Sequence, residues 1–138
     1  MKNSPLIDTA SKDKLLTYYG GTFSVMQFAD AVGLTFQDLE KSISNGDLLC
    51  FKKESNSFSV PVWQEHNGVI LRGLKDALLE LSKTRRSNWS KLLFMITPND
   101  YLIDELAHIV NIDEVTPVDA LRRTHMKEVL KAIEVFDR

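Results

Sequence analysis

The residue types able to do covalent or metal chemistry are thinly spread along this 138-residue chain. Its three histidines, His66, His108 and His125, stand far apart, and Cys50 is the single cysteine. Glu105 and His108 have the i, i+3 spacing of a di-iron ligand pair. Such a centre needs a second pair and two further glutamates, and the Glu-x-x-His spacing does not recur. The neighbouring acids Asp104–Glu105 and Asp113–Glu114 cannot share one helix face, where partners lie three or four residues apart. Solvated charge accounts for them. No glycine-rich phosphate loop, Gly-x-Ser-x-Gly or His-Glu-x-x-His occurs. The expectation is a protein that is not an enzyme and uses neither metal nor cofactor.

The chemistry that the sequence does offer is recognition. Gln37 and Asn45 carry amides able to read adenine edges, while Thr35 and Ser42 can touch phosphates or bases. Lys41 adds a cation, and Lys52 and Lys53 follow against Glu54. A second basic stretch, Lys83 to Lys91, includes Arg85 and Arg86 and contains no acid. It suits either a phosphate backbone or a solvated loop whose arginines complement the end of the preceding helix. Against DNA contact, residues 34–46 hold Asp38 and Glu40 with Lys41 alone, a net charge of −1. Counterion release by several cations usually drives DNA affinity. Two readings stay open: a DNA-contacting helix, or a docking module.

These side chains need elements to position them. From Ser24, the residues Val25, Phe28, Ala29 and Val32 have the spacing of one helix face. Gly33 follows, where a left-handed turn carries no steric cost for glycine. Thr35 is placed as the N-cap of a second helix, with Asp38 completing a capping box. Its apolar residues are Phe36, Leu39 and Ile43, and Asn45–Gly46 ends it. Residues 48–53 and 58–62 read as two strands joined by turn formers, with Pro61 marking an edge strand. The polar stretch 64–68 has the look of a linker. Beyond it, Leu74, Ala77, Leu78 and Leu81 form a helical stripe, repeated by Trp89, Leu92, Leu93 and Ile96. Leu102, Ile103, Leu106, Ile109 and Val110 make a third. Thr116–Pro117 starts a further helix with Asp119 at its third position. A last helix follows, capped by Thr124.

The fold class is therefore mainly α with a small β-hairpin: a winged helix-turn-helix over 1–64 and a small helical bundle over 65–138. Apolar residues at 43% and charged residues at 26% suit a globular chain, and the net charge of −2 restricts any nucleic-acid site to a local patch. No apolar run approaches a signal peptide or a membrane span, and the lone cysteine excludes an internal disulfide. A cytoplasmic protein is expected.

Two resemblances refine this. Val32-Gly33-Leu34, Asn45-Gly46-Asp47-Leu48 and the hairpin running to Pro61-Val62-Trp63 resemble the excisionase- or MerR-like winged helix-turn-helix. That resemblance implies operator DNA as ligand and a homodimer matching palindromic half-sites. Trp89 through Asn99, Thr116 through Arg122 and Val129 through Ala132 are similar to the toxin-binding domain of Xre/MbcA/ParS-type antitoxins. This second resemblance implies a protein partner, such as a RES-type toxin, held by residues including Trp89, Asn99, Arg122 and Arg123, and a complex that represses its own operon. The chain departs from that family in carrying an extra helical segment over 100–115.

Overall fold

The structure is a computed structural model that describes residues 14–52, 57–106 and 115–136. It is mainly helical with small antiparallel sheets. Helix α1 (Val25–Val32) opens with a reciprocal capping box: the Gln27 N–H donates to Ser24 Oγ, and the Ser24 N–H donates to Gln27 Oε1. It ends at Gly33, which sits at φ 71° in the left-handed region, letting the Leu34 N–H close back onto the Ala29 carbonyl. Helix α2 (Phe36–Ser44) follows at once, with Thr35 Oγ1 accepting from the Asp38 N–H at 3.1 Å. The Asp38 carboxylate makes no return bond of the kind the sequence suggested. Phe28, Ala29 and Val32 bury α1, while Leu39 is the buried anchor of α2. Truncating such a leucine costs about 2–5 kcal/mol.

The wing is larger than the two-stranded hairpin expected. Strands β1 (Thr22–Phe23), β2 (Phe51–Lys52) and β3 (Phe58–Pro61) form one antiparallel sheet in the order β1-β3-β2. Strand β3 is thus central, and the edge position inferred from Pro61 is incorrect. Two features let proline stand there. The Val62 N–H donates to the Gly21 carbonyl, so Pro61, opposite Thr22, falls at a non-hydrogen-bonded position of the alternating ladder. On its other side the β2–β3 register carries Leu49 towards Pro61, which has no N–H to give.

The Gln64 carboxamide takes that strand's place. Leu49 N–H donates to Gln64 Oε1 at 2.7 Å, and Gln64 Nε2 donates to the Leu49 and Pro61 carbonyls at 2.9 and 3.3 Å. Gln64 is 0% exposed, so the first residue of the expected linker is a core residue. The rest is a hairpin as well: β4 (Glu65–His66) pairs with β5 (Val69–Ile70). Asn67 and Gly68 have φ of 58° and 82°, both positive as the two-residue turn of such a hairpin requires.

The helical half comprises α3 (Leu74–Ser82), α4 (Asn88–Ile96), α5 (Asp100–Leu106), α6 (Pro117–Arg122) and α7 (Met126–Phe136). Helix α7 is the hub, packing against α3, α5 and α6. Helix α6 has the expected start, with a Thr116–Asp119 capping box and Pro117 in its first turn. Thr124 does not cap α7: it lies at φ 64°, and its hydroxyl donates to the Arg123 carbonyl. His125 occupies the position before the helix, its carbonyl accepting from the Val129 N–H. The third expected helix is described only to Leu106; Ile109 and Val110 lie outside the described residues.

One buried apolar cluster joins both halves, from Leu16, Phe28 and Leu39 through Trp63 and Leu71 to Leu121 and Ile133. Tyr19 ties the beginning of the described chain to α6: its hydroxyl bonds Thr116 Oγ1 at 2.7 Å and donates to Asp119 Oδ2 at 3.3 Å.

Candidate nucleic-acid interface

Helix α2 touches the core along a narrow line. Leu39 is 0% exposed and Ile43 and Ser42 are half-buried, whereas Thr35, Gln37, Asp38, Glu40, Lys41, Ser44 and Asn45 are exposed. At 100° per residue, Gln37, Lys41 and Ser44 lie opposite Leu39 and form the outward stripe. Thr35 stands at the helix entrance, its side chain already engaged in capping. Ser42 lies nearer the core than the sequence suggested, and Asn45 occupies the C-cap. Phe36 departs from expectation in the other direction. Counted among the inward residues of α2, it is 44% exposed, because Leu39 fills the core at that level.

Lys52 is exposed at the end of β2. Lys53 lies outside the described residues, as does His108. The Phe51 ring, one residue before Lys52, packs 4.2 Å from the Trp89 ring, which sets the start of α4 beside the wing. Trp89, expected at a partner surface, is therefore also a joint between the halves.

The basic stretch 83–91 is only partly available. Lys83 pairs with Glu80 at 2.8 Å. The Arg86 guanidinium lies 4.3 Å from the centre of the Phe136 ring, and its Nη1 approaches Ser90 Oγ at 3.4 Å. Lys91 is 9% exposed, and burial pushes its ammonium below the ordinary lysine range. Arg85, at φ 57°, is exposed.

The other expected partner contacts also have structural work. Asn99 Oδ1 accepts from the Leu102 N–H at 3.1 Å, capping α5, and the Asn99 N–H donates to the Val115 carbonyl. The Arg122 guanidinium lies 5.2 Å from the centre of the Tyr19 ring. Arg123 is exposed. What the sequence missed is an apolar groove of about 530 Å³ between α4, the start of α5 and the end of α7. Leu93, Phe94, Tyr101, Val135 and Phe136 line it, and the last two are exposed. The signal was present as two apolar residues past the buried stripe of α7.

Among the described residues no group of three histidine, cysteine or acidic side chains could hold a metal ion. No described helix is long and apolar enough to cross a membrane.

The fold is thus a small antiparallel sheet built onto a bihelical unit and enclosed by further helices. The NMR structure of Rv2175c shares it, aligning with a TM-score of 0.66 over 85% of this chain and 81% of that one, at 19% sequence identity. A likeness at that identity establishes the fold alone. No protein-family model matches the chain, and no curated protein matches it.

Proposed function

We propose that the chain is a DNA-binding transcriptional regulator and not an enzyme, working in the cytoplasm as a homodimer, with a helical half that holds a protein partner. The observation that carries this reading is the presentation of α2. One buried residue, Leu39, anchors it, it follows a left-handed glycine turn, and it leaves Gln37, Lys41 and Asn45 exposed. That is the form of a helix made to enter a major groove. Among described residues 22–52, Lys41 and Lys52 stand against Asp30, Asp38, Glu40 and Asp47. Further cations must come from Arg85, whose segment the Phe51–Trp89 contact brings towards the wing.

The helical half, as in the antitoxins it resembles, would engage a toxin of the RES type, and the complex would repress its own operon. The α4/α5/α7 groove, with Val135 and Phe136 at its rim, is the surface we assign to that partner.

The test is binding of the purified full chain to the DNA upstream of its own reading frame across a salt series. Tight, sequence-selective binding that weakens with salt is expected. Replacing Lys52 and Lys53 by alanine should reduce the slope of log affinity against log salt by about 2, close to 0.9 for each phosphate contact. Absence of binding at low salt rejects the reading. It would favour a second one, a protein-docking face on the same module, which the exposed side chains of Met26, Phe36 and Phe58 support.

A further inference from the structure

Phe36 is the first residue of α2. It lies on the flank of the helix that faces the hairpin, together with Glu40 one turn on. Both border a groove of about 560 Å³ that Met26, Ile43 and Phe58 also line. Lys41 borders the groove too, and Gln37 occupies the adjacent outward stripe. With Leu39 filling the core, the exposed part of the Phe36 ring does nothing for the fold, and leaving it in water is unfavourable.

A helix in the major groove meets base edges that offer hydrogen-bond donors and acceptors and a single kind of apolar group, the C5-methyl of thymine. We propose that Phe36 is a specificity residue whose ring packs against a thymine methyl at the start of α2. Glu40, on the same flank, accepts a hydrogen bond from the N4 amine of a neighbouring cytosine. The flank reads pyrimidines, while Gln37 reads adenine. This rests on the DNA-binding reading above. It also gives the acidic charge of α2 a use, since a carboxylate that would repel phosphates is a fitting partner for cytosine N4.

The test uses the full chain to select duplexes from a randomised library. Each thymine of the selected site is then replaced in turn by deoxyuridine, which keeps every hydrogen-bonding group and lacks only the methyl. One such replacement should weaken binding about four-fold, the fold-change expected for one buried methyl group. Phe36→Ala should bind the thymine site at least that much more weakly and lose its sensitivity to the same replacement, with Phe36→Leu intermediate. Glu40→Gln should relax the preference for cytosine next to that thymine. A selected site without a thymine, indifference of the wild type to deoxyuridine, or retained sensitivity in Phe36→Ala overturns the assignment while DNA binding stands. Failure to select any sequence overturns both.

Discussion

Replacing Gln64 by methionine keeps the side-chain volume close to native and deletes the amide that completes the sheet. Three buried backbone groups then lose their partner: the Leu49 N–H, the Leu49 carbonyl and the Pro61 carbonyl. No water can replace the amide without a cavity, because Gln64 is fully enclosed and Leu49 is buried beside it. An orphaned buried donor or acceptor costs about 1–3 kcal/mol, and the carbonyls fall at the lower end, so the sum is about 4 kcal/mol. For 138 residues the unfolding entropy is about 290 cal/mol/K, which turns this cost into a fall of about 14 °C in melting temperature. Circular dichroism melts of wild type and Gln64→Met would measure it. Gln64→Glu adds a pH signature. Its carboxylate faces two carbonyls and loses the donor, so the folded state favours the protonated acid and raises its pKa. Stability is then retained below the ordinary glutamate pKa and lost as pH rises through the folded value. A melting temperature for Gln64→Met within about 3 °C of wild type, or a Gln64→Glu variant indifferent to pH, would refute the account of how Pro61 is accommodated.

Gly73 precedes α3 at φ 88°, where a Cβ would stand 2.9 Å from Leu121 Cδ2 and 3.1 Å from Met126 Cγ. Gly73→Ala should therefore cost about 2–4 kcal/mol from backbone strain and overpacking together, against about 1 kcal/mol for Gly33→Ala in open space, both read from urea midpoints. Tyr19→Phe removes the hydroxyl that links residue 19 to Thr116 and Asp119. It should cost about 1 kcal/mol and increase hydrogen exchange at the start of α6 more than in α1. Burial raises the pKa of the Cys50 thiol, so alkylation of the folded chain should be slower than that of a free thiol at the same pH. The matching stability is full below the free-thiol pKa and lost as pH climbs towards the folded value, because only the unfolded state ionises first. Equal alkylation rates in folded and urea-unfolded protein would contradict the burial.

The helices, the Thr35 and Thr116 caps and the helix-turn-helix were legible in the sequence because their causes are local, whereas the Asp38 return bond and the Thr124 cap did not form. Gly33, Thr35 and Thr116-Pro117 act within one turn of chain, and the Leu74–Leu81 stripe is set by 3.6-residue periodicity. What stayed hidden depends on residues brought together from afar. Strand β1, two residues long, has no period to detect and exists because β3 offers it an open ladder. The Asn67–Gly68 turn carried a hairpin signal that the polar surroundings obscured, since strands of two residues show no alternation. Gln64 read as a solvated linker residue because its polarity is visible in the sequence, whereas the unpaired Leu49 and Pro61 groups that bury it appear only once β2 and β3 meet. Phe36 read as inward by helical spacing, but Leu39 took the core position, and the exposed ring now defines one edge of the proposed interface. Trp89 and Arg122 read as contact residues through the antitoxin resemblance; Phe51 and Tyr19, 38 and 103 positions away in the chain, supply the stacking that occupies them. Local backbone chemistry fixes which helices form, and long-range packing decides which short strands pair and which side chains are left to meet a ligand.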